Sequence, residues 1–94
     1  MSIIFYSKTC EGCAGNHALT NMQARCKSKG VDFEERRTIL WKVYKEEADS
    51  IMEITGIDLP FFYGTESQKV LSGNSFTSLD EIDKLIKEEQ NATK

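Results

Sequence analysis

Residues 2–6, Ser-Ile-Ile-Phe-Tyr, set Ile3, Ile4 and Phe5 side by side with no polar break. Successive side chains of a strand point to opposite faces, so this run is buried only if both faces are covered. The usual cover is a helix on each side, which points to an α/β architecture with this strand inside its sheet. Directly after it come Ser7-Lys8-Thr9, then Cys10-Glu11-Gly12-Cys13, then a stretch of helical character from Ala14 to Lys29. A buried strand, a short polar loop and a Cys-x-x-Cys at a helix start thus stand together at the head of the chain.

The rest of the chain extends the same pattern. The first helix is expected from about Cys10 to about Lys29, with Leu19, Met22 and Cys26 on one face, and Gly30 stops it after Lys27 and Lys29. Val31 to Glu35 alternates as a half-buried strand, with Arg36, Arg37 and Thr38 leading out of it. A second helix is expected from about Leu40 to Thr55, with Tyr44, Ala48, Ile51 and Thr55 on one face and Gly56 at its end. Strand–helix–strand–helix predicts a parallel first pair of strands. The sole proline, Pro60, opens a third strand at Phe61-Phe62-Tyr63, where it forgoes no central ladder bond. Gly64 to Ser67 is a turn, and Lys69-Val70-Leu71 completes an antiparallel hairpin. Ser78-Leu79-Asp80-Glu81 is a capping box for a third helix with Leu79, Ile82, Leu85 and Ile86 inward, fraying from Lys87 onward. The order is βαβαββα, within a single domain spanning residues 1–94.

Composition narrows the function classes. A net charge of −3 without a basic block argues against nucleic acid as a partner. No apolar run approaches the ~20 residues of a membrane helix, and no secretory signal precedes the first strand. A cytoplasmic protein is expected. Three cysteines are too few, and odd in number, for a disulfide-stapled scaffold. In such a chain a Cys-x-x-Cys beside a strand–helix pattern reads as redox-active.

The chemistry follows from the spacing. At a helix start Cys10 meets backbone N–H groups that lack helical partners, and their partial positive charge favours the thiolate. Cys13, three residues on, faces the same side and can attack a mixed disulfide formed on Cys10. A structural disulfide and half of a zinc site are the rival readings. His17 stands at i+4 from Cys13, but the remaining cysteine, Cys26, lies 13 residues beyond Cys13. On a continuous helix that is roughly 20 Å, against Zn–S bonds of about 2.3 Å. No metal is expected. His17 reads as an ordinary helix residue, and Cys26 as a core residue of the Leu19–Met22 face.

With the strand–helix order, three segments carry a family resemblance. They are Tyr6-Ser7-Lys8-Thr9-Cys10-Glu11-Gly12-Cys13, Leu59-Pro60 ahead of an aromatic strand, and Ser72-Gly73 ahead of the last helix. The chain resembles the glutaredoxins of the thioredoxin superfamily over almost its whole length. The resemblance implies a thioredoxin-like α/β fold, a four-stranded mixed sheet flanked by three helices. It implies thiol–disulfide exchange with Cys10 as nucleophile and Cys13 as resolving thiol, and glutathione as reductant. The glutathione site would comprise Lys8, Thr9, Gly12, Leu59, Pro60, Gly73 and Asn74. In the family the proline before the third strand is cis and faces the active site. Partners would be glutathione and disulfide-containing proteins, and the protein a monomer.

The chain departs from the family at several of these positions. Glu11-Gly12 stands where most members have Pro-Tyr or a similar pair, so the aromatic that flanks glutathione is missing. Asp58-Leu59-Pro60 replaces Thr-Val-Pro, and Ser72-Gly73 replaces Gly-Gly. A thioredoxin-like electron donor to one protein, such as ribonucleotide reductase, is the nearest alternative function. A metal or iron–sulfur module using Cys10 is a more distant one. The helix-start argument predicts that iodoacetamide at neutral pH modifies Cys10 faster than Cys13. Mass mapping of a time course checks this, and faster labelling of Cys13 would exchange the two roles.

Overall fold

The computed structural model describes residues 1–7, 17–73 and 77–92, with His17 in its backbone only. The elements are β1 (Ser2–Ser7), α1 (His17–Lys29), β2 (Asp32–Arg37), α2 (Lys42–Thr55), β3 (Phe61–Gly64), β4 (Val70–Ser72) and α3 (Leu79–Ala92). The strands form one mixed sheet in the order β2-β1-β3-β4. β1 runs parallel to β2 and antiparallel to β3, and β3 is antiparallel to β4. The β1 run that has no polar break is interior, and every residue from Ile3 to Ser7 is buried.

The two faces of β1 sort the core. Ile3 and Phe5 pack with Met22 and Cys26 of α1, Phe62 of β3, and Ile82 and Ile86 of α3. Ile4 and Tyr6 pack with Phe61 and with Ala48 of α2. Each large apolar side chain fully buried this way contributes about 1.5–3 kcal/mol. Helices α1 and α3 thus cover one face of the sheet and α2 the other. The glycines Gly30 and Gly56 follow α1 and α2 with φ of +72° and +73°, the left-handed conformation that ends helices. The Gly56 N–H closes α2 on the Met52 carbonyl at 2.8 Å. The Glu81 N–H donates to the Ser78 hydroxyl at 3.2 Å, as a capping box requires.

Several expected boundaries move, each for a local reason. β2 continues through Arg36 and Arg37, which pair with Tyr6 and Ser7 of β1 instead of leaving the sheet. Arg36 is held there by Glu34 and Glu47, and Arg37 by Glu35. α2 starts at Lys42, two residues later than expected, behind Trp41 in an extended conformation. β3 includes Gly64, and β4 covers Val70–Ser72 in place of 69–71. Leu79 is 44% exposed and does not share the inward face of Ile82, Leu85 and Ile86. The start of the expected first helix, residues 10–16, falls outside the described residues.

The largest correction concerns the end of α3. The charged stretch from Lys87 does not fray, because Glu89 is fully buried and fixed from several directions. Its Oε2 accepts from the Ser2 N–H at 2.9 Å and the Thr65 hydroxyl at 3.1 Å. Its Oε1 accepts from the Ser67 N–H at 2.9 Å, and the Glu66 N–H reaches both oxygens at 3.0 Å. Gly64 makes room for this carboxylate, since a Cβ there would stand 2.7 Å from Glu89 Oε1. Burial alone disfavours the charged form. The backbone donors of Ser67, Glu66 and Ser2, with the Thr65 hydroxyl, outweigh it and hold the carboxyl below the ordinary range.

A carboxyl whose pKa is lower folded than unfolded contributes its full stability above its unfolded value, near 4.3. That contribution fades as pH falls through the folded value. Replacing Glu89→Gln removes the charge and aims an NH₂ at a cluster of donors, so about 3 kcal/mol of stability should be lost at pH 7. Urea denaturation of both proteins measures it. The gap between them should narrow as the pH is taken below 4, because protonation removes the same charge from the parent.

Candidate active site

The register of the sheet defines two ends. At one end lie Ser2, Gly64, Thr65 and the Glu89 carboxylate. At the other lies Ser7, beyond which the chain enters residues 8–16, the segment that contains Cys10 and Cys13. Next to Ser7 on the β2 side is Thr38, whose N–H and hydroxyl both donate to the Ser7 carbonyl, at 2.9 and 3.1 Å. On the β3 side Tyr6 pairs with Phe61, so the preceding Pro60 stands at the same end of the sheet. The Leu59–Pro60 peptide bond is cis. The Gly73 N–H donates to the Pro60 carbonyl at 3.0 Å, which ties the start of β3 to the exit of β4.

Gly73 is buried and has no room for a side chain. A Cβ there would lie 2.7 Å from Cε1 of Phe5 and 3.2 Å from Cε2 of Phe62. Those two rings pack against each other with centroids 4.8 Å apart. The backbone leaving β4 therefore lies directly on the aromatic layer under β1 and β3. Of the residues assigned to the site from sequence, Leu59, Pro60 and Gly73 are brought to one end of the sheet, with Pro60 bonded to Gly73. Lys8, Thr9, Cys10, Gly12, Cys13 and Asn74 lie outside the described residues.

The sequence reading missed a polar network one residue back from that end. The Tyr6 hydroxyl donates to Glu47 Oε1 at 3.1 Å, and Arg36 Nη1 bonds the same oxygen at 2.7 Å and the Tyr6 hydroxyl at 3.4 Å. The Arg36 guanidinium also lies 5.4 Å from the centre of the Tyr44 ring. Burial, then the Glu47 carboxylate, push the Tyr6 phenol up to about 12, so it stays a proton donor. This network fastens α2 to the end of β1 and β2. Arg36 is thus a bonded residue within β2 and does not lead out of the strand. The signal present in sequence was its place one residue past an alternating strand, with Glu47 downstream.

Beside Leu59 is a groove of about 900 Å³ lined by Thr38, Ile39, Lys45, Asp49, Met52, Asp58 and Leu59. Lys45 is paired with Asp49 at 2.9 Å. Among the described residues nothing bonds to the backbone N–H or C=O of Leu59. A second hollow of about 420 Å³ is lined by Glu35, Arg37, Leu40, Trp41 and Tyr44. Trp41 is 63% exposed, so it borders a groove and is not core.

Cys26 occupies the position expected of it. It has no exposed surface, and burial pushes its thiol up to about 12, so it carries neither a thiolate nor a ready metal ligand at neutral pH. Among the described residues no group of three or more His, Cys, Asp or Glu side chains could hold a metal ion. No helix among them is long and apolar enough to cross a membrane.

Comparison with protein-family models, with curated proteins and with solved structures finds no match. The site is therefore defined by its own geometry. That geometry predicts the effect of filling the space at Gly73. Gly73→Ala must displace two packed aromatic rings, at a cost of about 1–3 kcal/mol. Thermal denaturation should show a lower Tm, while Ser72→Ala, whose side chain is half-buried and adds no volume, should shift it much less.

Proposed function

We propose that this chain is a glutaredoxin-like thiol–disulfide oxidoreductase with a thioredoxin-like fold, acting through Cys10 and Cys13. The observation that supports this most is the convergence at one end of the sheet. A buried central strand ends at Ser7, three residues ahead of Cys10 in the sequence, at the same end of the sheet as Leu59 and Pro60, in a sheet ordered β2-β1-β3-β4. That arrangement is what the resemblance implies.

In this reading the Cys10 thiolate attacks one sulfur of a substrate disulfide. A Cys10–substrate disulfide forms and the other substrate sulfur leaves as a thiolate, which takes a proton. The Cys13 thiolate then attacks Cys10 sulfur, releasing the second substrate thiol and leaving a Cys10–Cys13 disulfide. Two electrons have passed to the substrate. Two molecules of glutathione return the pair to dithiol and become glutathione disulfide. Lys8, Thr9, Gly12, Leu59, Pro60, Gly73 and Asn74 would line the glutathione site, with no metal taking part. A reducing compartment such as the cytosol suits a pair that must be reduced again after each turnover. The protein would act as a monomer on disulfide-containing proteins and glutathione mixed disulfides.

A coupled assay tests the reading, with glutathione plus glutathione reductase compared with thioredoxin reductase as the electron source. The parent should reduce a glutathionylated peptide with the first pair. Cys13→Ser should still form the mixed disulfide but fail to reduce an intramolecular protein disulfide. Cys10→Ser should lose both reactions. Retention of dithiol activity by Cys10→Ser would overturn the assignment, and turnover with thioredoxin reductase alone would favour a dedicated protein donor.

A further inference from the structure

The groove of about 900 Å³ beside Leu59 carries a charge imbalance that neither the fold nor the redox step uses. Its charged side chains are Lys45, Asp49 and Asp58. Lys45 and Asp49 answer each other at 2.9 Å, one helical turn apart. Asp58 is exposed and, among the described residues, has neither an ion-pair nor a hydrogen-bond partner. The lining as a whole therefore holds one surplus negative charge, on the residue directly before Leu59.

The end of α2 adds to that charge. Met52, in the last turn of α2, lines the same groove, and Asp58 follows the C-cap Gly56 closely in the chain. The C-terminal end of a helix carries partial negative charge, and α2 has no basic residue in its last turn to offset it. A carboxylate and a helix end of the same sign thus meet here. The apolar part of the lining is Ile39, Met52 and Leu59. An apolar wall beside one free carboxylate matches a long aliphatic stem that ends in a cation, with the stem on the wall and the charge at the edge. Arginine suits it best, because its planar guanidinium can meet a carboxylate with two parallel bonds.

We propose that Asp58 selects the substrate polypeptide, by holding the side chain of an arginine or lysine close in sequence to the reacting cysteine. Nothing among the described residues bonds to the Leu59 backbone, so an extended segment can lie against it. Alternate side chains of such a segment share a face about 7 Å apart, so a residue within about two positions of the cysteine comes level with Asp58. The inference deepens the oxidoreductase reading and rests on it for the identity of the reacting cysteine. The preference of the groove for a cation does not depend on redox chemistry. What counts is the place of the basic residue and not the net charge of the partner.

Isomeric ten-residue peptides test this, because they share composition and net charge. Each has one central cysteine and one arginine among neutral residues. The arginine is two positions from the cysteine in one isomer and at the far end in the other. The cysteine is capped as a mixed disulfide with mercaptoethanol for turnover, and replaced by serine for binding to ¹⁵N-labelled protein by NMR titration. The near isomer should bind about two- to fivefold more tightly at low salt, and turn over with a KM lower by the same factor. Half-molar salt should erase most of the difference. Asp58→Asn should bring the ratio close to one, and Asp58→Lys should favour the far isomer, with the NMR spectrum confirming that each variant is folded. Equal binding of the two isomers by the parent, no binding of either, or a preference that survives Asp58→Asn would overturn the proposal. The two readings part cleanly. A binding preference without turnover of either disulfide removes the oxidoreductase reading and leaves the selection by Asp58, whereas equal turnover and equal binding of the isomers do the reverse.

Discussion

The buried carboxylate of Glu89 holds one end of this molecule together. It gathers the first residue of β1, the turn between β3 and β4, and the last turns of α3 around one negative charge. A buried charge is costly unless it is hydrogen-bonded on every side, and here backbone N–H groups that would otherwise lack partners do the bonding. The exchange is mutual. The turn after β3 has its donors satisfied, and α3 is kept helical through a stretch too polar to pack by apolar contact alone. Once α3 is fixed, Ile82 and Ile86 close the face of the sheet that Ile3 and Phe5 present.

Fastening one end leaves the other for the candidate site. β1 is buried from Ile3 to Ser7, so it delivers the following segment from a fixed point. On one side of that point Thr38 secures Ser7, and on the other Gly73 secures Pro60. The Tyr6–Arg36–Glu47 network, partly buried, does for α2 what Glu89 does for α3, by tying a helix to the sheet through polar side chains. Both devices put the polar bonding behind the site. The groove beside Leu59 then sets Ile39, Met52 and Leu59 among Thr38, Lys45, Asp49 and Asp58, and among the described residues nothing bonds to the Leu59 backbone.

Much of this was legible in the sequence, and what was not had a common cause. The order of elements, the parallel first pair and the hairpin followed from local patterns: an unbroken apolar run, an alternating strand, a capping box, glycines after helices. Those signals act within a few residues. The roles of Arg36, Thr38 and Glu89 were not legible because they depend on partners 11 to 87 positions away. A glutamate in a charged helix end looks solvated until the backbone donors that surround it are known. Gly73 stood out in sequence only by resemblance, and the reason no side chain fits there, the Phe5 and Phe62 rings, is a property of packing. Pro60 was readable as a strand start, and its cis bond only through the family pattern.

Charge pairing near Leu59 bears on what this surface can recognise. Lys45 is engaged by Asp49, Arg37 by Glu35 and Arg36 by Glu34 and Glu47. A small dianionic ligand gains little from cations already neutralised by nearer carboxylates, because each new contact must displace an existing one. An extended chain does not depend on them to the same degree. It can pair with the backbone of Leu59, to which nothing bonds among the described residues, and place an apolar side chain on Ile39 or Met52 in the same groove. Among the described residues the balance of interactions therefore favours recognition through backbone and apolar area. Discrimination among partners would then rest on the shape and order of their side chains more than on their net charge.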